Sequence, residues 1–319
     1  MKAHRVLILS KILSKITGPD NPLPINRLLT ILEDDYTIKI DRNTLKRDIS
    51  ILKSEESRVV ELKTRSNTSL YYMSPLFTTE EVRILADAIG SNRFISDGTK
   101  QTILRKMLQL LQDNDHSLLK NTIDIEYCVP REIDMANNLK ICHECIYSSK
   151  RLKFQKAKYT FQKTIEVEAK HYDVIPQKIC YSNERYYLIA DYDSGDTRHF
   201  RIDRLVSLHP GDTHTQSRYI DTKSYKRQHI DMFGSGSLMT IRIQIDNTLL
   251  DSVIEHFGNE VYISQTSDSP NTFIFSCQKC INRGLTRWVL KQGHCAKVLE
   301  PEELIDNVKN ELNATLSKY

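Results

Sequence analysis

The sequence predicts an α+β multidomain chain, and three observations carry that expectation. At 319 residues it is longer than one ordinary core supports. Its apolar periodicity changes along the chain, from helical spacing at the front, to alternation in the middle, to a regular interleaving of both at the end. Its charge is lopsided: the first 73 residues carry 13 Lys and Arg against 9 Asp and Glu, and the remainder carries 32 of each. The whole formal excess of +4 therefore sits in the first quarter, and a basic module on a neutral body points to a polyanionic partner. Composition is otherwise that of a globular protein, 39% apolar and 27% charged. No stretch approaches the roughly eighteen consecutive apolar residues of a membrane span. The start, MKAHRVLILSKILSK, lacks the unbroken apolar centre and cleavage site of a signal peptide. A cytoplasmic protein without membrane association is expected.

Residues 1–73 read as one module. Val6, Leu9, Leu13 and Ile16 recur at helical spacing, and Gly18-Pro19 stops that helix. Pro24 suits the first turn of a second helix carrying Ile25, Leu28, Leu29 and Leu32. A third follows in DRNTLKRDISILK, with Asp41 as N-cap and Leu45, Ile49 and Leu52 as its buried stripe. Its other face shows Arg42, Asn43, Lys46, Arg47 and Ser50, a short cationic and amide-bearing surface near a helix start. A recognition helix reads a major groove with such residues, while Lys and Arg hold phosphates. VVELK and SLYYM flank the polar turn TRSNT as a hairpin, and three helices plus a hairpin make a winged helix. The plainer reading is a solvated helix face in a small helical domain.

This segment resembles the DeoR-like helix-turn-helix, whose recognition helix reads S-R-R-T-I-x-R-D-L-x-x-L. Thr44, Arg47 and Asp48 match it, and Asp41 replaces the leading Ser. The resemblance implies double-stranded DNA as partner and Arg42, Asn43, Thr44, Lys46 and Arg47 as the residues facing it. Asp48, an anion, reads as a structural partner.

Residues 74–147 read as a helical connector. Thr78 and Glu81 form a capping box ahead of a stripe of Val82, Leu85, Ala88 and Ile89. A second helix buries Ile103, Leu104, Met107, Leu108 and Leu111. Seven cysteines, an odd number in a cytosolic chain, argue against a disulfide framework. Two pairs have CxxC spacing, Cys142/Cys145 and Cys277/Cys280. The first falls on one helix face with Leu139 and Ile146 and reads as packed thiols. A zinc site completed by His143 or His294 is the other reading; no metal or other cofactor is expected.

Residues 148–209 read as about five short strands, a small β-barrel of SH3 or Sm type. In RYYLIADYDSGDTRHFRIDRL, an aromatic and apolar strand meets a turn and then Arg198, Arg201 and Arg204 within seven residues. Strand alternation puts Arg198 and Arg201 on opposite faces unless a bulge or strand end intervenes. Guanidinium forks match phosphate oxygens, and a base can stack on tyrosine. The plainer reading has Arg198 and Arg204 pairing with Asp203, Asp193 or Asp196. The stretch resembles the WYL domain, named for a Trp-Tyr-Leu triplet followed by an R-x-F-R-x-x-R strand. Tyr186-Tyr187-Leu188 stands at the triplet, with Tyr in place of Trp, and Arg198, Phe200, Arg201, Asp203 and Arg204 match the strand. Pro176 also fits. The resemblance implies a ligand sensor, with Tyr187, Arg198, Arg201 and Arg204 binding a nucleotide or single-stranded nucleic-acid effector.

Residues 210–237 are polar and end in glycines, as a partly ordered linker does. Residues 238–319 then run strand, helix, strand, strand, helix, strand, the order of a ferredoxin-like βαββαβ domain, before a helix opened by Pro301. They resemble the C-terminal extension that accompanies WYL domains, through Trp288-Val289-Leu290, Gly293 and Pro301-Glu302-Glu303-Leu304. In that family the extension contributes to dimer contacts, which implies a homodimer. No Gly-rich phosphate loop, HExxH, GxSxG or paired-carboxylate motif occurs, so no enzyme is expected. The combined reading is a ligand-responsive transcription regulator. A nucleic-acid-binding accessory module that tunes a partner enzyme is the alternative.

Overall fold

The computed structural model describes residues 2–56, 58–111, 133–232, 234, 236–265 and 270–319. Part of the expected connector, 112–132, lies outside them. The chain divides into two compact units, Met1–Pro130 and Arg131–Tyr319.

The first unit opens with α1 (Lys2–Ile16), β1 (Leu23–Pro24), α2 (Ile25–Tyr36), α3 (Arg42–Glu55), β2 (Val59–Lys63) and β3 (Ser69–Met73). Leu9, Leu13, Leu28, Leu32 and Leu45 are fully buried, so the three helices close on one core. The short β1 pairs with β3 and completes a three-stranded antiparallel sheet in the order β1-β3-β2. Thr17 ties α1 to that sheet: its hydroxyl donates to Leu13 O and accepts from Met73 N at 3.1 Å. Next come α4 (Thr79–Gly90) and α5 (Asp97–Leu108). The capping box of Thr78 and Glu81 is present. The buried stripe of α4 differs from the expected one: Val82, Ala86 and Gly90 face inward, while Leu85 and Ala88 are exposed. Buried Lys100 of α5, which donates to Gly90 O at 3.0 Å, explains the shift, because small residues must line the helix where that side chain passes.

In the second unit α6 (Met135–Tyr147), expected within the connector, is followed by β4 (Lys150–Tyr159), β5 (Ile165–Ser182), β6 (Arg185–Asp191), β7 (Thr197–Arg201) and β8 (Leu205–Thr213). The sheet runs β7-β6-β5-β4-β8 and is antiparallel throughout. The 18-residue β5 pairs with β4 along its first part and with β6 along its second, which bends the sheet. The expected barrel does not close: β7 and β8 stand at opposite edges. Helix α6 takes the role that closure would have had. Its Cys142 and Cys145 fill the concave core with Leu152, Phe154, Leu188, Phe200 and Ile202. Its Asn138 amide donates to Ile202 O at 3.2 Å and Leu205 O at 2.8 Å, at the start of the 3₁₀ turn that separates β7 from β8 and at the first residue of β8.

The expected linker is largely built into this unit. It holds the end of β8, the helix α7 (Thr222–Gln228) and three buried side chains, Ile220, Ile230 and Met232. Beyond it lie β9 (Leu238–Asp246), α8 (Leu250–Phe257), β10 (Tyr262–Gln265), β11 (Thr272–Cys280), α9 (Arg283–Lys291), β12 (Ala296–Glu300) and α10 (Glu302–Leu316). Their sheet order is β10-β11-β9-β12, with both crossover helices packed over a core of Ile241, Ile243, Phe275, Leu285 and Trp288. No helix among the described residues is long and apolar enough to cross a membrane.

Candidate nucleic-acid interface

Helix α3 is fixed at its start by Asp41, whose carboxylate accepts from Asn43 N at 2.8 Å, Thr44 N at 3.0 Å and the Thr44 hydroxyl at 2.6 Å. These bonds hold the Asp41 carboxyl below its ordinary range, the Thr44 hydroxyl most of all. Thr44 is thus a half-buried part of the cap. Arg42, Asn43, Lys46 and Arg47 are exposed, and among the described residues their side chains make no hydrogen bond or ion pair. The acidic neighbour is removed from that face: Asp48 is 1% exposed and takes a two-pronged ion pair from Arg5 of α1, with Arg5 Nη2 to Asp48 Oδ1 at 3.0 Å. Four open donors remain on this face, three of them cationic. Lys63 and Arg65 are also exposed, at the tip of the β2–β3 hairpin, where Asn67 takes the left-handed conformation that the turn requires.

The β6–β7 hairpin distributes its predicted residues over two faces. Tyr187 stands opposite Arg201 and Ala190 opposite Arg198. Arg198 is exposed on the concave side with Phe200, close enough to Tyr192 to act on its phenol. Arg201 lies on the other side and is held by Asp203 through two bonds, Nε to Oδ1 at 3.1 Å and Nη2 to Oδ2 at 2.8 Å. The strand ends there, and the 3₁₀ turn carries Arg204 to an exposed position outside the alternation. Tyr187 is buried with Cys180, Ile189, Ile220 and Met232.

What covers Tyr187 is the segment 218–232. Arg218 grips Asp191 at 2.9 and 3.0 Å and Thr197 Oγ1 at 2.9 Å. At the other end the His199 ring bonds Met232 O at 3.0 Å and the Tyr225 hydroxyl at 2.7 Å. The carbonyl requires a proton on Nδ1, so Nε2 accepts from Tyr225. Burial, aided by His229, pushes the His199 pKa down to about 4. An unfolded histidine titrates near 6.5. Above that pH both states are neutral and the contribution to stability is complete. As pH falls from 6.5 towards 4 only the unfolded state takes up the proton, and stability is lost. Urea midpoints should therefore drop between pH 7.5 and pH 5, and His199→Gln should flatten that drop; an unchanged slope would show that His199 is not its source.

The concave side offers a surface that sequence reading missed. Tyr172 stacks on Phe154 at 5.2 Å, and the ammonium groups of Lys156 and Lys170 each stand 5.0 Å from its ring centre. Lys156 also pairs with Glu168 at 3.4 Å. A cavity of about 180 Å³ is lined by residues of both strand parities there, Phe154 and Tyr172 together with Lys153, His171 and His209. The sequence signal was the i, i+2 spacing of Phe154 with Lys156 and of Lys170 with Tyr172, which puts an aromatic and a cation on one strand face.

The thiols follow the packed reading. Cys142 and Cys145 are fully buried, and burial lifts the Cys142 pKa to about 12. Among the described residues no group of three or more His, Cys, Asp or Glu could hold a metal ion.

Residues 137–210 match the family model of the WYL domain, which spans α6 and most of the five-stranded sheet. No curated protein matches the chain. Among solved structures, the chain is similar to proteasome accessory factor B/C (PafBC) of Arthrobacter aurescens. Identity there is 16% and the TM-score 0.28, with 100% of this chain and 48% of that one covered. It is also similar to a CRISPR Cas-related protein, at 14% identity and TM-score 0.25, with 100% of this chain and 83% of that one covered. The chain thus spans about half the length of the first of these.

Proposed function

We propose that this chain is a DNA-binding transcription regulator, acting as a homodimer through the winged helix of residues 1–73 and responding to a nucleotide or single-stranded nucleic-acid ligand at its WYL domain. The observation that carries this reading is the outer face of α3. Arg42, Asn43, Lys46 and Arg47 are exposed and uncommitted there, while Arg5 neutralises Asp48, the carboxylate that directly follows Arg47. Guanidinium and ammonium groups with no internal partner suit phosphate oxygens, and Asn43 and Arg42 suit base edges. The test is binding of the full chain to duplex DNA containing its own upstream region, followed by fluorescence anisotropy across a salt series. Footprinted protection of a specific site, with affinity falling steeply with salt, is expected. Sequence-independent binding to single strands alone would instead support the accessory-module reading.

For the ligand site, Arg198 and Arg204 are exposed, and Tyr172 with Lys156 and Lys170 supplies an aromatic and cationic surface on the concave side, where Arg198 stands. Arg198→Ala with Arg204→Ala should abolish binding of a nucleotide or short oligonucleotide and leave the thermal midpoint nearly unchanged. Arg201→Ala should do the reverse, lowering the midpoint because buried Asp203 loses its two-pronged partner. A large loss of stability in the Arg198/Arg204 variant without loss of binding would sink the assignment.

A further inference from the structure

We propose that a groove between α7 and the C-terminal sheet binds a small phosphomonoester bearing hydroxyl groups, with Lys279 holding its phosphate. In β11, Phe273, Phe275 and Cys277 alternate towards the core, and Lys279 takes the next position of the same register. It is 4% exposed. Its ammonium stands 4.8 Å from the Phe257 ring centre and donates to the carbonyl of Arg227 at the end of α7. Among the described residues no carboxylate lies within ion-pair reach of it. A buried amine with one neutral oxygen partner keeps further hydrogen-bonding capacity to satisfy, and burial without a counter-ion lowers its pKa, so an anion beside it would favour the charged form. Capping α7 explains one of its three N–H groups.

Lys279 lines a groove of about 410 Å³, a volume that suits a small molecule. Lys226, His229 and Asn183 share its wall, and Asp231 and Glu255 line it too. The nearby Arg227 is engaged by Glu260, and His256 stacks on Trp288 at 5.5 Å. The wall is held in an unusual backbone state: Asp231 and Met232 are successive non-glycine residues in the left-handed region, at φ 55° and 51°. The Asn183 amide fixes Asp231 through a bond of 2.5 Å to Oδ1. Strain of this kind persists where surroundings over-determine it and concentrates at ligand clamps. The polarity selects the ligand. An anion is drawn to Lys279 and Lys226, and the Asp231 and Glu255 carboxylates accept from hydroxyl groups.

Calorimetric titration of the full chain with ribose 5-phosphate, and with ribose alone, tests this. The phosphomonoester should bind and ribose should not. Lys279→Met should weaken binding at least tenfold while keeping the fold, since methionine suits the apolar register at that position. No binding of ribose 5-phosphate at millimolar concentration, or undiminished binding by Lys279→Met, would overturn the proposal. Should that variant fail to fold, exposed Lys226→Ala decides: a severalfold loss supports the site and an unchanged affinity removes it.

Discussion

Replacing both Lys46 and Arg47 with alanine is expected to weaken binding of the full chain to duplex DNA roughly a hundredfold at a given salt concentration. Each lost contact is worth on the order of 1–2 kcal/mol, and two such losses multiply. The same substitutions should shallow the slope of log affinity against log salt by about 1.8, since each neutralised phosphate contributes about 0.9. Stability should not move, because both side chains are exposed and spend no bond inside the protein. Arg5→Ala makes the opposing control. It leaves Asp48, 1% exposed, without its guanidinium, and breaking a buried pair costs about 3–5 kcal/mol. That variant should lose DNA binding only together with its melting transition. Unchanged affinity and salt slope in the Lys46/Arg47 variant would remove α3 from the interface, whatever else the protein does.

What was legible in the sequence follows the range of the interactions involved. The start of α3 is a local matter, decided by Asp41, Asn43 and Thr44 within one turn; Arg42, Asn43, Lys46 and Arg47 are open there, whereas Thr44, expected with them, is drawn into the cap. Asp48 could be recognised as structural from its sign, but its partner Arg5 lies 43 residues away, and no local rule identifies it. The barrel failed for a non-local reason. Alternation predicts strands without saying whether the first and last will meet, and here α6 packs Cys142 and Cys145 into the core and bonds Ile202 O and Leu205 O through Asn138, while β7 and β8 stay at opposite edges. The segment 210–237 looked like a linker because its polar residues outnumber its apolar ones. Ile220, Ile230 and Met232 anchor it without any period, Ile220 and Met232 against Tyr187 and Ile230 in the core of the C-terminal sheet. Tyr187 illustrates the cost of that misreading. As part of an open hairpin it reads as a ligand platform, and under the docked segment it is core.

Gly284 allows a test in which local propensity and packing predict opposite signs. It sits in the first turn of α9, after the Asn282 cap that accepts from Leu285 N at 3.0 Å. Helix propensity alone says that Gly284→Ala should stabilise by up to about 1 kcal/mol. Packing says otherwise. A β-carbon there would overlap the Ile230 carbonyl oxygen and lie 3.1 Å from its carbon, and backbone cannot rotate away as a side chain can. Gly236 meets the same obstacle from the other direction, its added β-carbon overlapping Ile281 O and lying 2.8 Å from the Ile281 carbonyl carbon. The two glycines let Ile230 lie directly on the first turn of α9 and Gly236 directly on Ile281. Overpacking of a closed contact costs about 1–3 kcal/mol, which exceeds the propensity gain. Gly284→Ala should therefore destabilise the second unit, and adding Gly236→Ala should cost more, measured as urea midpoints at constant m-value. Since Ile230 is continuous with the strained Asp231 and Met232, pushing its carbonyl away would also displace the wall that carries Asp231. A midpoint that rises in Gly284→Ala would mean that the segment does not rest on α9, and the groove that depends on that contact would fall with it.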